Sequence, residues 1–373
     1  MKVAVVHDWL TGMRGGEVVL EAILRLVPNA DLFTLMYNPG TVSDLIANRK
    51  IHTSFIDRLP FKSKRYRHYL PLFPLAIEQF DFHGYDLIIS SSHCVARGVI
   101  PPPGVKHLSY FHSPMRYVWD MYAEYFPRRG LLNRTVIPFF AHYLRMWDVS
   151  TRDRVDQYTC NSAFVAERIR LYYGKQARVI PPPCLDKVPD RIPAAPDERE
   201  NFYLIVSAFV PYKRIDLAVE AFRGLPDRRL VVVGDGPEAG RLRKLAPENV
   251  SFPGRVSRKE ILRLYSKARG LLFPGVEDFG IVPVEAQSYG CPVIAFGRGG
   301  SLETVVDGRT GVFFKAQTVD AIQDAVLRNE VIRYRASDFR LSVARFTSDN
   351  FKKAMRTEIQ KIMSTQTGKK KGR

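Results

Sequence analysis

Two carboxylates, Glu277 and Glu285, stand seven residues apart in the segment Phe273-Pro-Gly-Val-Glu-Asp-Phe-Gly-Ile-Val-Pro-Val-Glu285. The run ending at Phe273 reads as a strand and the residues after Gly280 as a helix. The amides of Phe279, Gly280 and Ile281 are therefore expected at a helix N-terminus, where free N–H groups and the dipole favour an anion such as a diphosphate. Glu277, on the loop, is placed to accept hydrogen bonds from sugar hydroxyls, and Glu285, about a turn into the helix, from a ribose diol. A helix-capping carboxylate beside a solvated one is the plainer reading of the same pair. Lys213 and Arg214 follow another strand end, where a basic pair is ordinarily helix-start surface charge. Near the N-terminus, Gly12-Met-Arg-Gly-Gly-Glu17 follows the first strand and lets backbone approach a phosphate or an acceptor. It is neither a Gly-x-Gly-x-x-Gly fingerprint nor a Gly-Lys-Ser/Thr loop, so dehydrogenase and ATPase readings lose support. His112 also comes directly after a strand, and Ser113-Pro114 keeps it out of a helix. A lone histidine is usually structural.

The elements that must position these residues are short β-branched runs alternating with helical stretches: Val3 to Val6, Leu87 to Ser90, His107 to Tyr110, Tyr158 to Cys160 and Arg178 to Ile180. Alternation of this kind indicates parallel sheet with crossover helices. The pattern stops at Pro181-Pro182-Pro183, and a polar, proline-punctuated linker runs to Glu200. A second set follows: Phe202 to Val206, Leu230 to Val233, Val250 to Phe252, Leu271 to Phe273, Pro292 to Phe296 and Val312 to Phe314. Open α/β sheets bind ligands at the carboxyl ends of their strands, so the chemistry is expected on the loops there. Asn161, before a helical stretch, reads as its cap.

A chain of 373 residues exceeds one ordinary core, which favours two domains. With 46% hydrophobic and 25% charged residues it is globular rather than disordered. Cys94, Cys160, Cys184 and Cys291 lie far apart, so buried free thiols are expected rather than a zinc site or disulfides. No apolar run approaches the ~18 residues that span a bilayer. The N-terminus meets His7 and Asp8 too soon for a signal peptide, and a cytoplasmic chain is expected. The net charge of +18 predicts attraction to polyanions: nucleic acid, anionic lipid or a phosphorylated substrate. Arg58, Lys62, Lys64, Arg65 and their neighbours are interleaved with Phe61 and Tyr66. That mix suits either a solvated basic helix or one resting on anionic headgroups with its rings in the interface.

Glu277-Asp-Phe-Gly280 followed by Glu285-Ala-Gln-Ser-Tyr-Gly-Cys-Pro closely resembles the signature of family 4 glycosyltransferases of GT-B fold, and the likeness continues through Gly299-Gly-Ser-Leu-Glu to Gly311. The pattern is most similar to bacterial mannosyltransferases of surface polysaccharide assembly. The resemblance implies an α/β protein of two Rossmann-like domains facing each other across a deep cleft. Residues 1–185 would bind the acceptor and 186–345 the nucleotide-sugar donor, with a helix at 346–364 packing back on the first domain and a disordered basic tail at 365–373. It makes His112, Lys213 and Glu277 the catalytic set, with Lys213 on the diphosphate. Arg214 supplies the second charge, because Ala208 stands where the family has an arginine. Gly15, Gly16, Phe279, Gly280 and Ile281 join the diphosphate and sugar contacts. Glu285 takes the ribose, and Gly254, Arg255 and Val256 the base. Glu17, Arg58, Phe61, Lys62, Lys64, Arg65 and Tyr66 face the acceptor or the membrane.

The activity so implied is retaining transfer of a hexose, with mannose from GDP-mannose the first reading, onto a lipid-linked or polysaccharide acceptor. The enzyme would be peripheral on the cytoplasmic face of the inner membrane. A UDP-sugar donor is the alternative; a nucleotide-sugar epimerase, a phosphorylase and a basic nucleic-acid-binding protein are more distant ones. No Asp-x-Asp occurs in the chain, so neither a metal nor any other cofactor is expected. The basic residues follow no nucleic-acid-binding signature, and no such partner is expected.

Overall fold

The computed structural model describes residues 1–126, 130, 134–190, 192 and 199–370, without the side chains of Lys64 and residues 365–370. The chain folds as two units, Met1–Pro183 with Asp349–Arg373, and Cys184–Ser348.

In the first unit seven parallel strands, β1 (Val3–His7), β2 (Asp31–Thr34), β3 (Ile51–Thr53), β4 (Leu87–Ser92), β5 (Lys106–Phe111), β6 (Gln157–Cys160) and β7 (Arg178–Val179), lie in the order β3-β2-β1-β4-β5-β6-β7. All of β1 is buried, so its residues feed two cores by strand alternation. Val3 and Val5 meet Val19, Leu20 and Ile23 of the helix Gly15–Leu26 together with Phe351, Met355, Ile359 and Ile362 of the last helix. Ala4 and Val6 join Phe73, Ile77, Ala141 and Leu144 on the other face. The last helix, Ser348–Lys370, runs on into the segment from residue 365 that was expected to be a disordered tail.

The second unit repeats the plan with β8 (Glu200–Ala208), β9 (Arg229–Asp235), β10 (Val250–Gly254), β11 (Ala268–Phe273), β12 (Val293–Phe296) and β13 (Gly311–Phe314), in the order β10-β9-β8-β11-β12-β13. The strand order therefore reverses between β1 and β4 in one sheet and between β8 and β11 in the other. A crevice opens at such a reversal, because successive crossovers leave toward opposite faces.

Two sequence expectations change. β2 and β3 carry no long β-branched run and were not foreseen. The cap of the helix Ala163–Tyr173 is Ser162, whose hydroxyl accepts the Val165 amide, while Asn161 Nδ2 donates to the His112 carbonyl instead. Part of the linker, residues 191 and 193–198, lies outside the described residues, as do residues 371–373 of the tail. Cys94, Cys160 and Cys291 are buried free thiols, and Cys184 is a half-buried one.

Candidate functional site

In the second unit the loops leaving β8 and β11 meet at the strand-order reversal. After Ala208 the chain makes the turn Pro211–Lys213 and then reverses at Arg214, whose φ of 50° is left-handed. That reversal separates two neighbouring side chains. Lys213 Nζ pairs with Glu277 Oε1, whereas Arg214 turns to Asp216 at 3.5 Å. Gly275 makes the first contact possible. A Cβ there would stand 2.8 Å from the Lys213 Cα and from the Tyr212 carbonyl, both backbone atoms that no rotamer change can move. Lys213 and Glu277 keep 17% and 18% of their side-chain surface, enough for a ligand to reach them.

Beyond Glu277, Asp278 and Phe279 are buried, and Gly280 takes a φ of 100° that a side chain rarely adopts. The helix Ile281–Ser288 starts there. Among the described residues the amides of Phe279, Gly280 and Ile281 donate to no protein acceptor. Pro283 in the first turn removes an amide that would otherwise also be open. The Gly299-Gly300 loop is held against this turn by the Gly300 amide, which donates to the Glu277 carbonyl at 2.8 Å. Glu285 is half-buried, bound by Arg258 at 2.7 Å and by the Tyr265 hydroxyl at 3.4 Å. Arg258 was not foreseen, because its only sequence signal is a basic residue in a first helical turn. Gly254 closes β10 with a φ of 80°, Arg255 is exposed with a weak 4.0 Å contact to Asp235, and Val256 helps line a hollow of about 350 Å³ with Phe252, Pro253, Glu260 and Leu264.

In the first unit the reversal between β1 and β4 gathers three imidazoles. His7 ends β1, His93 follows β4 and His112 follows β5, with ring centroids 5.9 to 6.4 Å apart. Only His112 was singled out from sequence; His7 and Asp8 carried a signal, polar residues closing a fully buried strand. The Asp8 carboxylate accepts the amides of His93, Cys94, Val95 and Ala96 at 2.7 to 3.0 Å and faces His93 Nδ1 at 3.1 Å. Its lone pairs are spent on fixing the loop after β4. Gly16 lies over two rings, with a Cβ position 3.6 Å from His7 Cε1 and 3.9 Å from His112 Nε2.

Burial, with His93 and His7 nearby, pushes His112 well below the ordinary imidazole range, so it is neutral at pH 7. Burial alone would raise the Glu17 carboxyl, but His7 outweighs it and holds the group below the usual carboxylate range. Glu17 is 5% exposed and accepts the Arg14 amide at 2.9 Å, so it touches no membrane; the amphipathic helix it opens turns it inward.

One member of the basic aromatic segment, Tyr66, is corrected as well. Tyr66 is buried, with its ring 5.2 Å from that of Trp9, and Lys62 is engaged by Asp57 and the Tyr37 carbonyl. Arg58, Arg65 and Phe61 are exposed, Phe61 at 70%; the Lys64 side chain lies outside the described residues. A neighbouring feature was missed. The helix Val136–Ser150 buries Ala141, Leu144 and Asp148, yet on the rest of its circumference exposes Val136, Phe139, Phe140, Tyr143 and Met146. Its inner face packs in the core that holds Phe73 and Ile77, and its Trp147 Nε1 donates to Glu78 at 2.8 Å. No described helix is long and apolar enough to cross a membrane. Among the described residues no group of three or more His, Cys, Asp and Glu is placed to hold a metal ion.

Two parallel sheets, each with polar and charged groups at its strand-order reversal, define a two-domain α/β protein of the GT-B type. Sucrose-phosphate synthase from Thermosynechococcus elongatus shares the fold with a TM-score of 0.72 at 19% identity, covering 98% of this chain and 100% of that one. HepE of Anabaena, solved in complex with UDP, does so with a TM-score of 0.66 at 15% identity, covering 97% and 100%. Residues 13–184 match the model described as Glycosyltransferase Family 4, and residues 187–333 the one described as Glycosyl transferases group 1. The chain belongs to the group 1, family 4 glycosyltransferases. A GDP-mannose-dependent alpha-(1-6)-phosphatidylinositol monomannoside mannosyltransferase of Mycobacterium tuberculosis is 33% identical over 213 residues, 49% of this chain and 55% of that protein. The chain thus spans about half the length of the curated relatives it matches.

Proposed function

We propose that this chain transfers mannose from GDP-mannose to a lipid-linked saccharide, with retention at the anomeric carbon and without a metal ion. The observation that carries the reading is the Lys213–Glu277 pair beside the open amides of Phe279, Gly280 and Ile281. A diphosphate that competes for Lys213 frees Glu277 to accept hydrogen bonds from the sugar. Binding thus exchanges one ion pair for another, and the released carboxylate is satisfied by sugar hydroxyls and by solvent at its partly exposed edge. As the glycosidic bond breaks, negative charge grows on the leaving diphosphate, where Lys213 and the helix amides stabilise it by roughly 3 to 4 kcal/mol for each donor. Lys213 and these amides can supply the charge stabilisation that a divalent cation would otherwise give, which supports metal independence. In same-face attack a departing phosphate oxygen takes the acceptor proton, so no dedicated protein base is needed. Glu285, already oriented by Arg258 and Tyr265, receives the ribose diol, and the hollow beside Val256 the base. Arg214 contributes field rather than contact, being held by Asp216.

GDP-mannose as donor and a lipid-bearing acceptor are supported by the mycobacterial relative's name; the UDP bound to HepE favours a UDP-sugar as the second reading. Placement on the anionic, cytoplasmic face of the inner membrane is supported by the exposed apolar side chains of the helix Val136–Ser150, by the exposed Phe61, Arg58 and Arg65 of the same unit, and by the charge of +18. The test is donor turnover with GDP-mannose and UDP-glucose, each with and without EDTA. Turnover of GDP-mannose unaffected by EDTA is expected; turnover of UDP-glucose alone, or loss with EDTA, overturns the corresponding part.

A further inference from the structure

Ser90 and Ser91 are neighbours on β4 and face opposite sides of the sheet by strand alternation. Ser90 closes an interior network, its hydroxyl 2.8 Å from both His107 Nε2 and Ser109 Oγ. Ser91 lies across from His7 in the β1–β4 register, and its hydroxyl is 3.1 Å from His7 Nδ1 and 2.8 Å from His112 Nε2. A serine hydroxyl owns one proton, so it can donate to only one of these imidazoles and must accept from the other whenever it donates to the first. The direction is set at the far end. His7 Nε2 is buried without a hydrogen-bond partner, and the nearest charge to it is Glu17 Oε1 at 3.8 Å, in a side chain that is itself buried. A lone pair facing a buried carboxylate is repelled and an N–H is attracted, so the His7 proton sits on Nε2.

The rest follows by proton count. His7 Nδ1 must accept from Ser91, Ser91 must accept from His112 Nε2–H, and His112 is left with a bare Nδ1. Among the described residues no protein group bonds that nitrogen, and His112 is only half-buried. We propose that Glu17, acting through His7 and Ser91, fixes His112 in the Nε2–H tautomer, so that its Nδ1 serves as an obligate acceptor for a sugar hydroxyl. Glu17, His7 and Ser91 are then positioning residues, and His112 is the group that touches the sugar. The role of His112 rests on the function proposed above; the tautomer does not. Gly16, with no side chain, leaves the space above the His7 and His112 rings open.

Glu17→Gln tests the polarity. The Arg14 amide already donates to Glu17 Oε2, which orients the new amide so that its oxygen meets Arg14 and its NH2 faces His7. Every proton in the chain should then reverse. Imidazole ¹⁵N shifts and two-bond couplings of the full-length protein at pH 7.5, with His112 assigned by His112→Gln, are expected to show Nε2–H in the native chain and Nδ1–H in Glu17→Gln. A native Nδ1–H or doubly protonated His112, or a tautomer unmoved by Glu17→Gln, overturns the proposal. Ser91→Ala provides a second route should Glu17→Gln unfold. It should lower the kcat of GDP-mannose hydrolysis about tenfold, the worth of one hydrogen bond, with KM within twofold. Ser91→Thr, which keeps the hydroxyl, should restore it. An unchanged kcat in Ser91→Ala contradicts the relay. A native protein that does not turn over GDP-mannose at all counts against the donor assignment, while the ¹⁵N spectra still decide the relay.

Discussion

The two strand-order reversals solve different electrostatic problems with the same topology. At β8 and β11 the loops bring a partly exposed ion pair beside helix amides without a protein acceptor, the arrangement proposed above to exchange its internal partner for an incoming anion. At β1 and β4 the loops bring three imidazoles and a serine around a sequestered carboxylate, with burial holding His93 and His112 below the ordinary imidazole range. On the reading proposed above, charge is handled in one unit and hydroxyl orientation in the other. The lesson is that position at a switch point marks a site, while the residue types on the loops decide what it handles.

Removing the cation should separate the two most strongly. Lys213→Ala and Glu277→Ala are each expected to lower turnover of GDP-mannose by about 10² to 10³, with melting temperatures near native, because both residues lie at a solvent-reachable surface. A matched glycine pair sharpens the contrast. Gly275→Ala forces a Cβ into the Lys213 backbone and is expected to cost about 1 to 3 kcal/mol of stability in urea unfolding, with raised KM. Gly16→Ala meets only ordinary contact distances and is expected to fold normally while losing turnover. Equal stability losses in the two would show that the sites are not packed as differently as described.

Acid should act on the buried imidazoles of the first unit. Burial lowers His107 to about 4, and His93 and His112 are lowered too. The unfolded chain takes up protons near pH 6.5 that the native chain refuses until lower pH. The stability from these groups is therefore complete above pH 6.5 and declines as pH falls from there toward about 4. From His107 alone, a loss on the order of 2 kcal/mol is expected between pH 7.5 and 5, measured by urea unfolding. His107→Gln should flatten that profile.

The smallest effect concerns the surface. Phe139→Ser with Phe140→Ser is expected to reduce co-sedimentation with vesicles of 30% phosphatidylglycerol severalfold, leaving hydrolysis of soluble GDP-mannose unchanged. Retained binding, or a switch from dimer to monomer in sedimentation, would assign that helix face to something other than lipid.

The donor loops were legible in sequence because Glu277, Gly280 and Glu285 sit close together across one strand-to-helix turn. The partner of Lys213 was not, since the contact depends on Gly275 and on the left-handed Arg214, and neither reveals its geometry locally. Tyr66 and Glu17 misled for one reason: polar and amphipathic residues near basic ones look like surface, and only tertiary packing against Trp9 or His7 shows otherwise. The helix Val136–Ser150 escaped notice because an apolar residue reads as core in sequence, whichever way its helix turns it.

The central claim is that the pair formed by Lys213 and Glu277 opens to hold a sugar-linked pyrophosphate. Titration calorimetry of GDP-mannose against the native chain and Lys213→Ala asks this directly. Binding by the native chain that weakens at least tenfold in the variant is the expected result; equal affinity in both would show that the lysine never meets the diphosphate.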